Sequence, residues 1–173
     1  MSKDILSFAV LFVVMILLQA LIFNHIVLFS VAVPLVFIYF IIRLPISLPT
    51  GWLLTFSFLL GLAVDVFSDT PGVNALGCTL LAAMKRPAFF AYVPRDDKTK
   101  EAEPTLSTLG WVPYCKYLLT MTGIYCFLAL AIEYFNFASV KTIAIMTVAS
   151  TILTFLLLLA VDCLIVRKRE KRL

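Results

Sequence analysis

From Ile5 to Phe23 the chain runs nineteen residues without a charged side chain, and from Ile26 to Ile42 it does so again over seventeen. A helix of nineteen residues rises about 28 Å, enough to cross a hydrocarbon core about 30 Å thick. Runs of this kind recur along the whole length, so that 62% of the 173 residues are hydrophobic and only 14% are charged. Soluble domains are roughly 45–50% apolar and about 25% charged, and a soluble domain of this length could not bury so much apolar surface. The chain therefore reads as an all-α, polytopic integral membrane protein in a lipid bilayer, built as a single domain.

Six spans are expected, at about 5–23, 26–42, 52–67, 72–86, 114–135 and 140–166, with a polar, solvated loop over 94–110. The first reads as an anchor rather than a cleaved signal peptide, because its apolar part exceeds the usual 7–15 residues or so. Gln19 within it is expected to pack inward. Pro34 predicts a kink in the second span, and Pro45 and Pro49 stop that helix after Arg43. Trp52 marks an interface before the third span. The fourth is short; the heads of Lys85 and Arg86 are expected to snorkel outward, with Pro87 ending or kinking the helix. Phe89, Phe90 and Tyr92 then suggest a segment lying on the membrane surface. Trp111, Tyr114, Lys116 and Tyr117 suggest an aromatic and basic girdle ahead of the fifth span. Asp162, one turn before the basic tail, is expected to pair with Arg167 or Lys168 at the interface.

Six spans put both termini on one side. With both inside, thirteen of the fourteen Lys and Arg residues are cytoplasmic and only Lys141 is outside. That asymmetry predicts an N-in, C-in topology, with Asp65, Asp69 and Glu133 toward the outer face. The same distribution explains the net charge of +4 and argues against nucleic-acid binding, because the cations fall in the gaps between apolar runs. Cys78, Cys115, Cys126 and Cys163 have no metal-ligand spacing and read as small apolar residues in helices. The single histidine, His25, beside Asn24, cannot build a metal site alone. A nucleophile with its base, a carboxylate cluster for a metal and a Gly-rich phosphate loop are all missing from the sequence. The expectation is a non-enzyme without metal or cofactor.

The unusual stretch is Gly61–Leu76, GLAVDVFSDTPGVNAL. An acid deep in a bilayer costs about 2.5–3.5 kcal/mol on insertion scales, so Asp65 is a candidate functional residue. Ser57, Gly61, Asp65 and Asp69 recur at spacing four and would share one helix face. Asp69-Thr70-Pro71-Gly72 is a turn sequence, with Pro suited to the second turn position and Gly able to take positive φ. Beyond it, Gly72, Ala75, Thr79 and Ala82/Ala83 would give the next helix a narrow, close-packing face. The expectation is a tight helical hairpin. Its Ser57, Gly61, Asp65, Asp69, Gly72, Ala75 face either receives a partner or is structural, with Asp65 bonded to the start of the fourth helix.

The run GLAVDVFSDTPGVNALGCTLLAA resembles the rod shape-determining protein MreD family, in Gly61, Asp65, a short turn, Gly72 and a small-residue helix ending in a basic pair. Length, six spans and a basic C-terminus agree. The resemblance implies a non-catalytic scaffold subunit of the bacterial cell-wall elongation complex, in the cytoplasmic (inner) membrane. It implies a bitopic MreC-like partner and, through it, MreB, RodA and a penicillin-binding transpeptidase. The 94–110 loop is longer than the family pattern. The alternative is the substrate-binding membrane subunit of an energy-coupling-factor-type vitamin transporter, a similar six-helix plan. Its pocket would need residues such as Asn74 and Asn136.

Overall fold

The computed structural model describes residues 2–23, 33–94, 103–133 and 140–170. Among them every regular element is helical: α1 (Ser2–Leu21), a 3₁₀ turn (Val36–Ile38) leading into α2 (Tyr39–Arg43), α3 (Thr50–Ser68), α4 (Val73–Phe90), α5 (Leu106–Leu109), α6 (Trp111–Glu133) and α7 (Val140–Glu170). Among the described residues three helices are long and apolar enough to cross a membrane: Thr50–Ser68, Trp111–Glu133 and Lys141–Cys163. His25, Asn136, residues 26–32 and 134–135 of the expected spans, loop residues 95–102 and the side chains of the basic tail lie outside the described residues.

The second span departs most from expectation. In the described part of the expected 26–42 helix, Val33–Leu35 has no regular structure and helix is confined to Val36–Arg43. Those eight residues rise about 14 Å, half of what a crossing needs. Proline explains the break: Pro34 has no N–H to give and disfavours helix in the residue before it. An open backbone inside a bundle is tolerated only where side chains satisfy it. Here they do. Gln19, 1% exposed, donates from Nε2 to the Pro34 carbonyl and accepts from the Val36 N–H, both at 3.1 Å. Ser150 Oγ and Thr154 Oγ1 on α7 accept from the N–H groups of Val33 and Leu35, also at 3.1 Å. Gln19 packs inward as expected, but as a clamp on another segment's backbone.

That clamped segment is the centre of the core. Phe37 to Ile42 are all buried, with Phe12 edge-on to Phe40 at 5.2 Å and Tyr125 edge-on to Phe37 at 5.5 Å. Two expectations about aromatics change with it. Tyr114 and Tyr117 are fully buried core residues rather than parts of an interfacial girdle, whereas Trp111 stays exposed. Helix α4 runs through Pro87 to Phe90; its turns are completed by Ala91 N–H to the Pro87 carbonyl and Val93 N–H to that of Phe89. Phe89 is therefore buried against Tyr117, ring centroids 5.6 Å apart, and does not lie on the surface.

Helices α3 and α4 form an antiparallel hairpin, with Asp65 at one end and Arg86 at the other. At the Arg86 end, Arg43 gathers distant parts of the chain. Its guanidinium reaches Asp162 on α7 at 3.3 Å and Glu103, ahead of α5, at 3.4 Å. Asp162 is 1% exposed and also accepts from the Tyr39 hydroxyl. It is thus a buried acid held by α2, where an interfacial partner for the tail had been expected.

Candidate functional site

The N-cap of α4 is Gly72, a residue with no side chain to cap the helix, and the first turn would leave N–H groups unpaired. Asp65 on α3 supplies the missing acceptor. Its Oδ1 accepts from the Asn74 N–H at 2.9 Å and its Oδ2 from the Ala75 N–H at 2.9 Å. Oδ1 also accepts from Asn74 Nδ2 and from Thr70 Oγ1, each at 3.0 Å. The carboxylate thus meets four donors, three on Oδ1 and one on Oδ2, at the helix end whose dipole favours negative charge. A residue from the preceding helix plays the part of the N-cap. Asn74 passes the network on, its Oδ1 accepting from the Tyr125 hydroxyl of α6 at 2.6 Å.

The connection is tight because the backbone allows it. Asp69 ends α3 in the left-handed region (φ 55°), which aspartate tolerates better than most residues. The turn itself runs from Thr70 to Val73, closed by a 3.4 Å hydrogen bond. Pro71 is second, and Gly72, third, has φ 87° and ψ −8°, the geometry of a type II turn. Gly61 lets the helices approach: a Cβ there would lie 2.6 Å from Ala75 Cα and closer still to the Asn74 carbonyl oxygen.

Of the six residues singled out from sequence, Ser57, Gly61, Asp65 and Ala75 are brought together in the buried face between α3 and α4. Asp69 and Gly72 are not part of it. Both are exposed, because α3 stops at Ser68 and the stripe stops with it. Ser57 is fully buried and its hydroxyl makes no hydrogen bond among the described residues, so its contribution is small volume. On α4, Ala82 is buried while Ala83 faces out. Between the two roles offered for this face, the geometry fills the structural one: the chain's own α4 occupies it. Asn74, the proposed pocket residue, is buried and already bonded to Asp65 and Tyr125.

Sequence reasoning missed a second polar centre. Lys85, expected to snorkel, is 0% exposed. Its Nζ donates to the Ile41 carbonyl at 2.8 Å and to that of Leu44, the oxygens left open where α2 ends. A buried ammonium with carbonyl partners at a helix C-terminus sits where the helix dipole favours a cation. Arg86, partly exposed, donates to the Leu48 carbonyl at 2.8 Å, to that of Ile46 at 3.4 Å and to Thr50 Oγ1 at 3.0 Å, fixing the loop into α3. A signal was present in the sequence. A charged pair inside an apolar run opposite a helix stopped by Pro45 could have been read as a cap.

Chemically, these groups bind helix ends. Among the described residues no group of His, Cys, Asp or Glu is placed to hold a metal. Comparison with family models finds no matching family, and comparisons with curated proteins and with solved structures find no match.

Proposed function

We propose that this chain is a non-catalytic scaffold subunit of a bacterial cell-wall elongation complex, as the resemblance to the MreD family implies. It would sit in the cytoplasmic membrane with six passes, both termini inside, and bind a bitopic MreC-like protein. MreB, RodA and a penicillin-binding transpeptidase are its indirect partners. One observation carries the reading. The buried acid that marks the chain, Asp65, has both oxygens committed to holding α4, the arrangement of a part that sets helix geometry. An even number of passes is supported by what meets at one end of the bundle. The N-terminal part of α1 lies against the loop after α2, and Arg43 joins the 103–105 segment and the last turns of α7.

The test is affinity purification of a tagged copy from its own membranes, with co-eluting proteins identified. A single-span MreC-like protein with wall-synthesis enzymes is the expected result. Two ATPase subunits with a membrane coupling subunit would overturn the scaffold reading and make the chain part of a transporter.

A further inference from the structure

An apolar groove of about 430 Å³ opens on the side of the bundle between α1, the loop after α2 and α3. Its walls include Phe12, Val13, Phe40, Pro45, Leu48 and Phe56, and none of its lining residues is charged or polar. The volume falls in the range of sites for small organic ligands, roughly 300–1,000 Å³. A lining with no polar group suits a hydrocarbon chain and offers nothing to orient a polar ligand.

A charge lies one residue away from the groove wall. Leu48, which lines it, gives its carbonyl to Arg86 at 2.8 Å. Among the described cations near it, Arg43 is paired with Asp162 and Glu103, and Lys85 is sealed by two carbonyls in the core. Arg86 is different. It is partly exposed, its three hydrogen bonds go to neutral oxygens, and no carboxylate pairs with it among the described residues. A guanidinium has five N–H donors, so two remain, together with the full charge. Trp52, 60% exposed, follows Thr50 on α3 and stacks on Phe56 of the groove wall at 5.7 Å, as an aromatic at the headgroup level would.

We propose that the groove seats one acyl chain of an anionic phospholipid, whose phosphate lies on Arg86. The topology proposed above puts Arg86 at the inner leaflet, where anionic lipids are concentrated; the lipid site itself does not require the scaffold reading.

Trp52 is a built-in reporter. In the Trp111→Phe variant it is the one remaining tryptophan. That protein, in nanodiscs of zwitterionic lipid, is titrated with phospholipid brominated on its acyl chains, anionic in one series and zwitterionic in the other. Quenching of Trp52 by the anionic series at a mole fraction about fivefold lower is expected, the worth of one basic residue at a charged membrane surface. Arg86→Gln should remove that preference and Arg86→Lys should restore most of it. Ala9→Phe, which fills the groove without touching the cation, should abolish the low-fraction phase. Equal curves for the two headgroups, or an Ala9→Phe curve unchanged from the parent, would overturn the proposal. So would inorganic phosphate erasing the preference at equal ionic strength, since the anion alone would then be the ligand. Quenching seen only after a co-purified single-span protein is stripped away would assign the groove to that helix instead.

Discussion

The two ends of the α3–α4 hairpin solve one problem with opposite charges. At one end the start of α4 lacks its own cap, and Asp65 provides a carboxylate from nine and ten residues earlier in the chain. At the other the end of α2 leaves carbonyls open, and Lys85 provides an ammonium from 44 and 41 residues later. Each charge lies where the helix dipole favours it. The ends differ in reach along the sequence. The near contact ties one hairpin together, whereas the far one ties the hairpin to a broken segment that also depends on α1 and α7.

Substitutions can break or sharpen that contrast. The largest effect is expected from Gly61→Val, because the new side chain meets the backbone of Asn74 and Ala75 rather than a side chain that can move. A loss of about 3 kcal/mol or more is expected, at the upper end for overpacking, read by denaturant-titrated unfolding in micelles. Asp65→Ala comes next. It leaves two buried N–H groups unpaired, about 1–3 kcal/mol each before relaxation, and should lower recovery of the partner while the protein still inserts. Normal recovery would separate the hairpin from assembly. Lys85→Met keeps the stem and removes the ammonium, and about 2 kcal/mol should be lost through the two uncapped carbonyls. A loss as large as that of Asp65→Ala would make the distant cap the equal of the local one. Smallest is Ser150→Ala, at about 0.6 kcal/mol, the average for a hydrogen bond between membrane helices. Its signature is local: faster amide exchange at Val33 with the Asp65 end unchanged.

What the sequence revealed follows the same divide. The hairpin, its turn, the close-packing Ala75 and the reach of Asp65 to the next helix all lie within about fifteen residues, where spacing and turn chemistry speak directly. Even there, Asp69 was misread, because periodicity alone does not say that α3 ends one residue before it. The broken second span was not legible. Pro34 announces a disturbance, but whether a helix kinks or opens depends on acceptors elsewhere, and those are Ser150 and Thr154, more than a hundred residues away. Lys85 and Asp162 were placed at the interface on the general rule that charges seek water. Both found partners inside that no local pattern encodes. Tyr114 and Tyr117 follow the same rule in reverse: aromatic residues at a span's end suggest a belt, yet both are buried in the core, Tyr117 against Phe89 of α4.

The clamp on the second segment also sets an order of events. A ribosome delivers Pro34 long before Ser150 and Thr154 exist, so the N–H groups of Val33 and Leu35 wait through the synthesis of five further helices for their acceptors. Until α7 arrives, the segment must borrow water or stay outside the hydrocarbon. The arrival of α7 is thus what lets the second segment settle, and a nascent chain stalled ahead of residue 150 should leave residues 33–36 open to a water-soluble thiol probe on an introduced cysteine, and a chain that includes α7 should close them.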